Sequence, residues 1–164
     1  MKKTKAKDKI KAIVIGDSQT PFIVYNTNVA DMIGMEGIDS LWKSGANLSW
    51  LNGAVKNYNT DLNVSHVFIS IGTNGAFNIN DPIEELMRNL RHVFPNAKIY
   101  FIKGSIGWGN NINLSETDVI RYANKFYKNG ANILTNGIGR TNEPHNAKLP
   151  AYKLIGQEIN NILK

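Results

Sequence analysis

Cysteine is absent from the 164 residues. That excludes disulfides, thiolate metal sites and a cysteine nucleophile. No apolar run is long enough to span a membrane, so no membrane partner is expected. No cluster of His, Asp and Glu has metal-ligand spacing, so no metal is expected. The chain also lacks the spread of positive charge that its net value of +6 suggests. Lys2, Lys3, Lys5, Lys7, Lys9 and Lys11 stand against Asp8 alone and account for +5 of it. The basic character is therefore a tail, expected to be a solvated, disordered terminus over residues 1–10 rather than a nucleic-acid-binding face. No apolar stretch follows these lysines, so a secretory signal peptide is not expected and the location fits cytoplasm or a virion.

What is present is ordinary for a globular domain: 42% hydrophobic and 20% charged residues, in a length that fits one domain over 11–164. The chain is organised around Ile13-Val14-Ile15-Gly16-Asp17-Ser18-Gln19-Thr20-Pro21. Three β-branched residues read as a buried strand, Gly16 as a turn, Thr20 as an N-cap and Pro21 as a first helical residue. This is strand, tight turn, helix, with a serine at the carboxyl end of the strand, as in the nucleophile elbow of α/β-hydrolases. The plainer alternative is a βα loop whose serine caps the helix.

Further along, helices are expected over 21–33, 47–57, 81–93, 115–128 and 150–163. Asn47 should cap the second helix, and Asp81 the third, with Pro82 at its first position. Strands are expected near 38–42, 64–71, 98–103 and 131–134, with loops at 104–111 and 137–146. Strands alternating with helices imply an α/β fold with a mainly parallel, five-stranded sheet. Ligands then bind outside the carboxyl ends of the strands. That rule puts Ser18, Gly45, Asn74, Trp108 and His145 on one rim. His66 falls on the opposite rim and His92 at a helix end, so only His145 can serve a rim serine as base. Gly45 can bring a backbone N–H close, and Asn74 has an amide that can donate to a developing oxyanion.

Gly16-Asp17-Ser18, the lone Gly45, Gly72-Thr73-Asn74, and His145 before the last helix resemble the SGNH (GDSL-like) hydrolases, in that family's block order and over nearly the whole chain. The resemblance implies a three-layer flavodoxin-like fold and ester hydrolysis. It implies Ser18 as nucleophile and first oxyanion donor, Gly45 and Asn74 as the other donors, and His145 as general base. Two departures stand out. The position three residues before the histidine, usually aspartate, is Asn142, with Glu143 adjacent but out of register. Pro150-Ala151-Tyr152 follows His145 about one residue late. Either Glu143 swings in to orient His145, or a backbone carbonyl does, or the enzyme is weak.

For substrate contact the candidates are Asp17, Trp108, Asn110, Asn111 and Asn142, with Trp108 stacking on a sugar ring. Trp108 can equally pack the loop down. The expected reaction is removal of O-acyl groups, acetyl above all, from a small ester or acylated carbohydrate, without cofactor. Two rivals remain. One is an inactive SGNH-fold module for glycan or protein binding in a virion or surface structure. The other is a flavodoxin-like nucleotide or FMN binder using the Gly16–Thr20 turn for phosphate, although that turn is poor in glycine.

Overall fold

A computed structural model describes residues 10–28, 37–58 and 63–164. Residues 1–9 of the expected tail lie outside the described residues, and the first strand starts at Ile10. Five strands, β1 (Ile10–Gly16), β2 (Gly37–Trp42), β3 (His66–Ser70), β4 (Lys98–Phe101) and β6 (Asn132–Ile133), form one sheet in the order β2-β1-β3-β4-β6. Every neighbouring pair is parallel. The alternation of side chains along each strand divides the core in two. Ile13, Ile15, Val67, Ile69 and Phe101 face helices α2 (Leu48–Lys56), α3 (Ile83–Val93) and α4 (Glu116–Lys128). Ala12, Val14 and Phe68 face α1 (Thr20–Tyr25) and α5 (Pro150–Leu163). This is the expected three-layer α/β architecture. Each fully buried Ile, Leu or Phe stabilises it by about 1.5–3 kcal/mol.

The connection from β1 runs to one side of it and β3 lies on the other, so the strand order reverses between β1 and β3. That reversal opens a crevice at their carboxyl ends. Gly16 ends β1 beside Ser70, where an added Cβ would lie 1.9 Å from the Ser70 carbonyl oxygen. The glycine is thus required by close approach of two strands, rather than by the turn that follows it.

Several local expectations need correction. Gln19, not Thr20, stands at the cap position of α1, with helical angles (φ −78°, ψ −20°) and no side-chain cap bond, and Thr20 is the first residue of the helix. The helix stops at Tyr25, because Asn26 Nδ2 donates to Phe22 O (2.7 Å) and Thr27 Oγ1 to Val24 O (2.7 Å), taking up terminal carbonyls. Residues 26–28 of the expected 21–33 helix are not helical, and 29–33, Val29, Ala30 and Ile33 included, lie outside the described residues. Pro82 itself occupies the cap position of α3 with no side-chain bond, while Asp81 Oδ2 accepts from Tyr122 OH at 2.7 Å. The two expected rim loops each contain a two-residue strand, β5 (Ser105–Ile106) and β7 (Gly139–Arg140), paired in parallel. Asn47 caps α2 as expected, accepting from Trp50 N–H at 2.9 Å. Ser115 and Asp118 close a capping box on α4.

Candidate active site

Ser18 sits in the tight turn between β1 and α1, at the crevice. Its Oγ lies 2.7 Å from His145 Nε2, a contact between residues 127 apart in the chain. The turn is held from below. Asp17 N–H donates to Ser70 O (3.1 Å), Thr20 N–H to Asp17 O (3.0 Å), and Gln19 N–H to Asp17 Oδ1 (2.9 Å). Asp17 is 1% exposed, and burial pushes its carboxyl up to about 7, against the lowering effect of the Gln19 N–H.

The Gly45 loop is tied to the same strand through Lys43 N–H to Gly16 O (3.2 Å), and Gly45 has a left-handed φ of +74°. Asn74 Nδ2 donates to Ala46 O at 3.1 Å and reaches Asp17 Oδ2 at 3.4 Å. One amide thus links the β1, β2 and β3 loops. Among the described residues, neither the Ser18 nor the Gly45 backbone N–H has a hydrogen-bond partner. Two free N–H groups beside a hydroxyl can stabilise a developing oxyanion, and the Asn74 amide can join them by exchanging its long 3.4 Å contact with Asp17 Oδ2.

An inner hollow of about 150 Å³ is lined by Ser18, Gly45, Thr73, Asn74, Trp108 and His145. An outer hollow of about 380 Å³ shares Trp108 and His145 and adds Asn142, Glu143 and Asn146. The β5–β7 pairing brings the Trp108 loop against the His145 loop, with Thr141 N–H donating to Ile106 O (2.8 Å). A larger concavity of about 610 Å³, lined by Glu84, Arg121, Lys125 and Lys128, holds none of these groups.

Ser18, Gly45, Asn74, Trp108 and His145 are brought together around the inner hollow, and Asn142 and Glu143 border the outer one. Asp17 is not a substrate contact: its buried carboxylate holds the turn and faces Asn74. Asn111 is not one either. It is 1% exposed, accepts from Trp108 N–H (2.7 Å) and donates to Ser105 O (3.2 Å), so it shapes the loop from inside. Asn110 is exposed but borders neither hollow at Ser18. Among the described residues no carboxylate bonds His145. Glu143 contributes its backbone N–H to Thr141 Oγ1 (3.0 Å). His66 lies at the amino end of β3 between Phe68 and Tyr100, and burial lowers its basicity, helped by Lys98. Gln19, Ser44 and Pro144 also line the inner hollow, and sequence patterns give none of them, nor Thr73, a role there.

No protein-family model matches this chain, and no curated protein matches its sequence. Solved structures do match in shape. A member of the lipolytic G-D-S-L family from Veillonella parvula superposes with a TM-score of 0.64 at 10% identity, over 93% of this chain and 97% of that one. The chain has the SGNH hydrolase fold. The C-terminal catalytic domain of peptidoglycan O-acetyltransferase A from Streptococcus pneumoniae, solved with a methylsulfonyl adduct, shares this fold (TM-score 0.61, 16% identity, 94% and 92% covered). So does a family 3 carbohydrate esterase from Clostridium thermocellum (TM-score 0.59, 16% identity, 93% and 94% covered). Within the SGNH fold, the Ser18 turn occupies the switch-point crevice where α/β sheets bind ligands.

Proposed function

We propose that this chain is a serine esterase that removes O-acyl groups, acetyl in the first place, from small esters, with acylated carbohydrate as substrate class. The observation that carries the reading is the 2.7 Å contact between Ser18 Oγ and His145 Nε2 at the switch-point crevice. A serine hydroxyl is a poor nucleophile until a base takes its proton. Ser18 Oγ attacks the ester carbonyl while Nε2 accepts the hydroxyl proton. The carbonyl oxygen becomes an oxyanion facing the N–H groups of Ser18 and Gly45 and the Asn74 amide. Collapse breaks the bond to the alkoxy oxygen, which leaves as an alcohol with the proton from His145. Water then attacks the acyl-serine by the same route in reverse, releasing the carboxylic acid and the free hydroxyl.

An inner hollow of about 150 Å³ suits an acetyl-sized acyl group, and the outer hollow with Trp108, Asn142 and Asn146 suits a polar leaving group. The carbohydrate esterase and peptidoglycan acetyltransferase among the structural neighbours support the same substrate class.

A second reading, an SGNH module that binds glycan or protein without turnover, is favoured by the missing carboxylate beside His145. Hydrolysis of p-nitrophenyl acetate separates the two. The esterase reading expects turnover that Ser18→Ala lowers by roughly 10³-fold or more without loss of fold. Equal rates for the two proteins would overturn it.

A further inference from the structure

In a serine–histidine–carboxylate arrangement the carboxylate fixes the imidazole orientation and stabilises its protonated form. His145 has no such partner among the described residues, yet its Nε2 points at Ser18 within hydrogen-bond distance. Something else fixes the ring. The Phe22 ring lies 6.1 Å from it, near parallel at 27°, and Phe22 stacks in turn on Tyr152 at 5.3 Å and 27°. The Tyr152 hydroxyl donates to the carbonyl of Pro144, the residue immediately before His145. Tyr152 is fully buried on α5, and Phe22 is on α1.

The two helices are locked together one turn further on. Gly156 of α5 packs so closely that an added Cβ would lie 2.1 Å from Asn26 O, at the end of α1. Asn26 in turn donates its amide to Phe22 O. Ring, backbone and helix pair therefore form one continuous support.

Taking His145 as the base, we infer that Phe22 is a positioning residue, and that the Phe22–Tyr152 stack holds the imidazole on Ser18 where other serine hydrolases use a carboxylate. Stacking restricts rotation of the ring, which supplies orientation, but it brings no negative charge. The stacked Phe22 ring and the Trp108 ring, tilted at 53° with its centre 6.0 Å away, are the aromatic groups beside an imidazolium when it forms.

The test compares Phe22→Leu, Phe22→Met, Phe22→Tyr, Tyr152→Phe and His145→Ala with the unaltered chain. It reads p-nitrophenyl acetate hydrolysis and the rate of Ser18 modification by methanesulfonyl fluoride. Phe22→Leu should lower kcat and the modification rate by roughly 10- to 100-fold, the scale of a misplaced reacting group, with KM within about twofold and the shape of the pH–rate profile kept. Phe22→Tyr, which keeps a ring to stack, should restore most of the loss. Tyr152→Phe keeps the stack and removes only the bond to Pro144 O; it should cost about three- to tenfold in kcat. Full kcat in Phe22→Leu or, where that variant does not fold, in Phe22→Met, which also removes the ring, would overturn the positioning role. So would a Phe22→Tyr variant no better than the leucine. Full kcat in Tyr152→Phe would overturn the part assigned to the Pro144 bond. A His145→Ala protein modified as fast as the unaltered one would instead overturn the reading of His145 as base.

Discussion

The two halves of the candidate site are built differently. On the Ser18 side, the turn is anchored by buried Asp17 and by backbone bonds to Ser70, and the Asn74 amide is aimed by Ala46 O and Asp17. On the His145 side, residues Asn142, Glu143 and His145 are exposed, and the side-chain bond of His145 is the one to Ser18. The first half is held by hydrogen bonds between strand ends that the sheet already fixes. The second depends on packing between α1 and α5. An oxyanion site tolerates little displacement and gains from a rigid frame, whereas an imidazole can be aimed by a ring stack. The fold is thus rigid at the Ser18 turn and open to change around His145.

The strongest way to probe the rigid half is its buried carboxyl, Asp17. The folded state raises Asp17 from 3.8 to about 7. Between about pH 4 and 7 the folded protein therefore keeps a proton that the unfolded chain has released. The contribution of Asp17 to stability is greatest below pH 4, falls as the pH rises to 7, and levels off above it. The full shift corresponds to something on the order of 4 kcal/mol. Urea unfolding at pH 4.5 and 7.5 should show the unaltered protein losing stability relative to Asp17→Asn as the pH rises. Equal slopes would mean that Asp17 is ionised throughout. Next, Asn74→Ala should lower kcat by about 10²–10³-fold with little change in KM, because its amide acts on charge present only in the transition state. A raised KM with full kcat would make Asn74 a substrate contact.

The exposed half should respond the other way. Asn142→Asp returns a carboxylate to the outer hollow beside His145 and should raise kcat by about tenfold, far short of the roughly 10⁴-fold that a buried triad aspartate contributes, because solvent screens it. No gain would show that the ring stack already does all that a carboxylate could. Smallest of all, Glu143→Gln should change kcat by less than about twofold, since its carboxylate is exposed and makes no bond to His145. A large loss would mean that Glu143 swings in during turnover.

Legibility in the sequence follows the same division. The β1 run Ile13–Ile15, the Ser18 turn, the Asn47 cap and the parallel sheet follow from local patterns, because buried strands and helix caps are encoded within a few residues. The position of Ser18, Gly45, Asn74 and His145 on one rim follows from strand order alone. The end of α1 did not follow, because the Asn26 and Thr27 side chains compete for its carbonyls before the apolar periodicity runs out. The β5–β7 pair is too short to carry a period, so the pairing that seats the expected 104–111 loop against the His145 loop was invisible. Asn111 and Asp17 are polar residues on a rim, and only three-dimensional packing turns them inward. Phe22 reads as one more apolar residue of a helix until the fold lays His145 over it.

If Ser18 is activated by His145 alone, without a carboxylate, its reactivity must depend on His145 and not on Glu143. Intact-mass and peptide analysis after treatment with a fluorophosphonate at neutral pH reads that dependence. A single adduct is expected, located on Ser18, that forms in the unaltered protein and in Glu143→Gln and is absent from His145→Ala. No adduct on Ser18, or one that forms equally fast in His145→Ala, would contradict it.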